Sequence, residues 1–166
     1  MDDSGLREHL VQLLVGSDAH LNFDDTVSRF PVELRTVIPP GSAHSAWQLL
    51  EHLRIAQWDI LEFSRDPSHA SPTFPDGYWP SRDTTPDDDA WDKSVRSFRS
   101  DRDALQALVA TKSTDLLAPI PHGTGQTILR ECFVVAKHNS YHLGQLVLLR
   151  RLLGTWQEDG HRKIEI

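Results

Sequence analysis

The chain has 166 residues, 39% hydrophobic and 25% charged, with 17 basic residues against 24 acidic ones and a net charge of −7. That length and composition suit one soluble domain, residues 1–166, able to bury a proper core. The acidic balance counts against non-specific binding to nucleic acid or anionic membrane, because both need clustered positive charge. No basic run appears, and Arg150-Arg151 is only a pair.

The single cysteine, Cys132, excludes an internal disulfide and a cysteine-based zinc site. Its apolar surroundings suit a small buried hydrophobe better than a reactive thiol. Met1-Asp2-Asp3 does not open a signal peptide, and no apolar run approaches the roughly 18 residues of a membrane span. The expectation is a cytoplasmic protein.

Four helical patterns follow one another, separated by proline-rich breaks. The first covers about 6–29, with a stripe of Leu6, Leu10, Leu13 and Leu14 continued by Leu21 and Val27. Pro31 and Pro39-Pro40-Gly41 end it. The second covers about 43–64, with Ser42 or Ser45 as its N-cap. Trp47, Leu49, Leu50, Leu53, Ile55, Ala56, Trp58, Ile60, Leu61 and Phe63 cover most of its circumference, as in an interior helix.

A loop from Pro67 to Thr85 contains four prolines and the cluster Tyr78-Trp79-Pro80. A loop of that length serves either as a cover over the bundle end or as part of a substrate site. The third helix covers about 86–111, with Pro86 in its first turn. Asp87, Asp88 and Asp89 complement the positive helix start and read as that rather than as a metal site. After a break at Pro119 to Gly125, the fourth helix covers about 126–153. Gly144 costs about 1 kcal/mol inside it relative to alanine, which predicts close approach of a neighbouring helix. No alternating strand pattern appears, so the fold class is all-α, a four-helix bundle.

Chemistry concentrates in His138-Asn139-Ser140-Tyr141-His142 and in His52. A spacing of four puts His138 and His142 on one helical face, one turn apart, within the stripe Ile128, Val135, His138, His142, Leu149 and Leu153. Two such imidazoles can grip one metal ion, and His52 from another apolar helix supplies a third ligand. Histidine is costly in a dry core unless its nitrogens are satisfied, and one metal explains all three. The alternative is three histidines hydrogen-bonded separately. Position 139 is asparagine, so the glutamate of HExxH zinc hydrolases is missing.

Glu131 lies two turns before His138, about 10 Å along the helix, and Asp59 stands two turns after His52. Either can line a cavity or orient a ligand; surface or capping pairing is the competing role. His20, near the stripe of the first helix, is a candidate for the same cavity. Tyr78 and Trp79 of the long loop and Tyr141 inside the motif complete the candidate pocket. His44 begins the second helix and His122 lies in a loop, while His9, His69 and His161 read as surface residues.

The segments Ser45-Ala46-Trp47-Gln48-Leu49-Leu50-Glu51-His52-Leu53 and His138-Asn139-Ser140-Tyr141-His142-Leu143-Gly144-Gln145-Leu146 resemble the second-helix and fourth-helix motifs of the DinB-like family, which includes YfiT-like proteins. Their order, separation and apolar setting agree over nearly the whole chain. The resemblance implies up-down-down-up topology, often a homodimer, and a divalent metal on His52, His138 and His142; zinc, nickel, iron and cobalt all accept neutral imidazole, and zinc or nickel is the first expectation. Activities in the family include transferases using a low-molecular-weight thiol and a mycothiol-dependent isomerase.

Three functions are open on these grounds. The first is a metal-dependent S-transferase acting on a small-molecule substrate with a low-molecular-weight thiol as cosubstrate. The second is a metal-dependent hydrolase. The third is a non-catalytic metal- or ligand-binding bundle.

Overall fold

The computed structural model describes residues 2–156, apart from 83, 85 and 88. Thr85, Asp88, His161 and the chain after Trp156 lie outside the described residues. Five helices run in the order α1 (Ser4–Val15), α2 (Phe23–Val27), α3 (Ala46–Arg65), α4 (Ala90–Ala110) and α5 (Ile128–Leu152). No strand occurs among the described residues. The fold is an all-helical bundle, as the periodicity predicts.

The first predicted helix is two. Gly16 ends α1 in the left-handed conformation (φ 66°), which costs glycine no Cβ clash. Asn22 starts α2 afresh, accepting 2.8 Å from the Asp25 amide. Leu10 and Leu14 are buried, while Leu6 and Leu13 are exposed, so the stripe on α1 is narrower than predicted.

α3 begins in a capping box: Ser45 accepts from Gln48 N (3.2 Å), and the Gln48 side chain accepts from Ser45 N (3.1 Å). Such a cap contributes about 1 kcal/mol. From Ala46 to Ser64 no residue of α3 is exposed, as its all-round apolar pattern requires. α4 starts at Ala90, four residues later than predicted. Asp89 caps it without a side-chain bond, and Pro86 lies ahead of the helix. α5 begins after Thr127, whose side chain accepts from Arg130 N.

α3 packs on α4 and α5, and α1 packs on the same two. Glu51 meets Ser94, and Gln57 meets the Phe98 carbonyl, so α3 and α4 point the same way. Arg7 reaches the Val109 carbonyl and Gln106 the Val11 carbonyl, so α1 opposes α4. Two apolar clusters fill the bundle. One gathers Phe23, Trp47, Leu50, Phe98 and Leu146; the other gathers Leu10, Leu61, Leu105, Cys132 and Val135. Gly144 corrects an expectation. It is exposed, and a Cβ built there meets nothing within 4 Å, so no helix of the described chain approaches it.

Candidate metal centre

The histidines sit where α3 faces α5. His52 and His142 are buried, and His138 is half-buried. One ring nitrogen from each lies within 4.8 Å of the other two. Nε2 of His138 is 3.0 Å from Nε2 of His52. The ring centroids are 4.9 Å apart for His52 and His138, 4.6 Å for His52 and His142, and 4.5 Å for His138 and His142. No other histidine, cysteine or carboxylate among the described residues joins the group.

Two outer bonds fix which nitrogen faces inward. His52 Nδ1 lies 2.9 Å from the Tyr78 carbonyl, and His142 Nδ1 lies 2.6 Å from Gln145 Oε1. Both oxygens only accept, so each Nδ1 carries the hydrogen and each Nε2 keeps a lone pair. Burial pushes the His52 imidazolium down to about 4. The Tyr78 carbonyl opposes that shift, and the charges of His142 and His44 add to it. Burial, reinforced by His142 and His52, takes His138 to about 4 as well. Burial also lowers His142, against the pull of Gln145. All three are therefore neutral at pH 7, the form that binds a metal.

A divalent ion fits this donor set. Zinc–nitrogen bonds of about 2.0–2.1 Å in a tetrahedron place nitrogens roughly 3.3 Å apart, and the convergence seen here brackets that spacing. Carbonyl oxygens on the far ring nitrogens are the usual supports of metal-binding imidazoles.

Trp79 lies flat on His52, with centroids 3.7 Å apart and planes at 5°. Its other face carries His44, at 4.0 Å and 13°. Tyr141 stands edge-on to His142 at 4.9 Å and is 66% exposed, at the rim of the cluster. Asp59 touches none of the three histidines. Its two oxygens meet His69 Nε2 (2.8 Å) and the Tyr78 hydroxyl (2.5 Å). Glu131 is buried against Arg130 (2.5 Å), in the neighbourhood of Cys132 and away from the cluster. His20 is not brought to the cluster. It bonds the Leu21 carbonyl and Ser140 Oγ, each at 2.8 Å, and lines a separate small cavity with Asn139 and Leu143.

Three contributors escaped sequence reasoning. His69 was expected at the surface, but its side chain is 8% exposed and bonded to Asp59. A loop position has no periodicity to reveal that. His44, outside α3, stacks on Trp79 for the same reason. Gln145 had a signal, because three residues after His142 is the same helical face.

The DinB superfamily model matches residues 18–146, more than half of the chain, and the matched span contains all three histidines. The chain belongs to the DinB superfamily. Comparison with curated proteins and with solved structures gave no significant match.

Proposed function

We propose that this protein is a divalent-metal enzyme, with His52, His138 and His142 holding the ion and a low-molecular-weight thiol as cosubstrate for S-transfer. The observation that carries the reading is the convergence of exactly three neutral imidazoles without a fourth protein ligand among the described residues. Structural zinc sites close their coordination with four protein ligands, whereas catalytic ones keep a position open. When bound, the ion supplies a Lewis acid that holds a thiol as thiolate at neutral pH. Zinc and nickel both suit imidazole donors.

The chain's own thiol is unsuited to the task. Cys132 is fully buried in the second apolar cluster, and burial, with Glu131 beside it, pushes the thiol up to about 12. The nucleophilic sulfur is therefore supplied from outside. It forms the new bond to an electrophilic carbon while the leaving group departs with its electron pair. Tyr141, exposed at the rim of the cluster, gives a small substrate apolar surface to lie on. Hydrolysis is the weaker alternative. A general base is wanted, yet Asp59 is engaged by His69 and Tyr78, and Glu131 by Arg130.

Metal-loaded protein incubated with an epoxide or aryl halide, with and without thiol, tests this. The expected product carries the thiol's sulfur, and its formation is lost in His142→Ala. A thiol-independent, water-derived product would overturn S-transfer in favour of hydrolysis. The homodimer is likewise a proposal, supported by the exposed stripe Phe133, Tyr141, Leu148 and Leu152 on α5. Sedimentation at micromolar concentration checks it.

A further inference from the structure

The loop after α3 lies back along the helix that precedes it. Gln48 Nε2 donates to the Pro80 carbonyl (3.3 Å), His52 Nδ1 donates to the Tyr78 carbonyl (2.9 Å), and Asp59 Oδ2 accepts from the Tyr78 hydroxyl (2.5 Å). Positions 48, 52 and 59 recur on one face of α3. His52 and Asp59 are seven residues apart, about 10 Å of helix rise. Tyr78 bridges that span from its carbonyl to its hydroxyl, as a brace with both ends tied to the same helix.

The second oxygen of Asp59 takes His69, from the start of the same loop. Both donors to this carboxylate therefore come from the loop. The side chains of Asp59 and His69 are only 11% and 8% exposed, and a buried carboxylate is tolerated only where its oxygens are satisfied. Burial, reinforced by Asp59, raises the Tyr78 hydroxyl to about 12, so it stays a donor.

A neutral imidazole has two tautomers, and only one of them leaves His52 Nε2 with a lone pair toward His138 and His142. The choice is made by the Tyr78 carbonyl, and the carbonyl is held in place by the tyrosine's other end. We propose that Asp59 is a positioning residue: by gripping the Tyr78 hydroxyl and His69 it sets the loop so that the Tyr78 carbonyl locks His52 in the Nδ1–H tautomer that faces the metal. The proposal rests on the metal reading above, but its first link exists in the metal-free chain.

The test has two readouts on wild type, Tyr78→Phe, Asp59→Ala and Asp59→Asn. Long-range proton–nitrogen spectra of labelled, metal-free protein report the His52 tautomer. Chelator competition reports the zinc Kd. The wild type is expected to show the Nδ1–H form alone. Tyr78→Phe and Asp59→Ala are expected to mix the tautomers and to raise the zinc Kd about tenfold or more. Asp59→Asn, which keeps an oxygen for the Tyr78 hydroxyl, should retain most of both.

Should Asp59→Ala fail to fold, Tyr78→Phe decides alone, since it removes a single oxygen. Unchanged tautomer and Kd in Tyr78→Phe and Asp59→Ala, with only a lower Tm, would overturn the positioning role. A wild type with the expected tautomer, lost in the variants, but with no affinity for zinc or nickel would uphold the positioning role and sink the metal reading instead.

Discussion

Two sets of polar side chains interrupt the contact between α3 and α5, and they are satisfied in different ways. Gln57 and Asn139 are buried amides facing each other. Asn139 Nδ2 donates to Gln57 Oε1 (3.0 Å), and Gln57 Nε2 donates to the Phe98 carbonyl (2.8 Å). The chain of donors and acceptors closes within the protein, leaving only Asn139 Oδ1 without a partner among the described residues. Of the three histidines beside it, His52 and His142 use their outer nitrogens on the Tyr78 carbonyl and Gln145 Oε1 and turn Nε2 lone pairs inward, while His138 Nε2 approaches His52 Nε2 to 3.0 Å. Amides complement each other, whereas a single N–H on His138 can pair with only one of the two inward lone pairs. The first set is accounted for by the fold; the second calls for a cation.

The largest test of that contrast is metal-linked stability. At free zinc a thousandfold above Kd, linkage contributes about 4 kcal/mol, or about 10 °C in Tm for a chain of this size. Calorimetry should show that rise in wild type and none in His138→Ala/His142→Ala. Gln57→Leu probes the other set. It strips Asn139 of its acceptor and Phe98 of its donor, at a cost of about 1–3 kcal/mol. Its Tm should fall by several degrees while the zinc-induced rise persists. Loss of that rise would merge the two sets into one.

Acid separates them further. His52 and His138 titrate at about 4 when folded, against an ordinary value of 6.5. Between those values the unfolded chain binds more protons, so metal-free stability drops as pH falls through that window. Denaturant titrations from pH 7 to 4 should show a shallower drop in His52→Ala/His138→Ala. Gln57→Leu should keep the wild-type slope, because amides do not titrate. The smallest effect is expected of Trp79→Ala. An aromatic stack is worth about 0.5–1.5 kcal/mol, so zinc affinity should weaken about three- to tenfold by chelator competition.

Much of this contrast is legible in the chain itself. The all-round apolar pattern of α3 and the stripe of α5 place His52, His138 and His142 on facing helices, because period 3.6 converts spacing directly into direction. The break of the first helix escapes that logic. Leu21 and Val27 continue the stripe by spacing, yet Gly16 and Asn22 end and restart the chain locally. The bond between Asp59 and Tyr78 is beyond periodicity altogether, since it depends on the path of a proline-rich loop. His69 and His44 lie outside the helices and elude periodicity for the same reason. Gly144 shows that a helical glycine need not mark a contact within the chain, since its position is open.

The three imidazoles are placed to hold one metal ion. Metal content of untagged protein, grown in medium supplemented in turn with zinc and nickel and set beside His138→Ala/His142→Ala, tests that most directly. About one equivalent per chain in wild type, as a single three-ligand site requires, and none in the double variant is the predicted result. A folded wild type that takes up neither metal, even after reloading, would contradict the account and leave a helical bundle with three unexplained histidines.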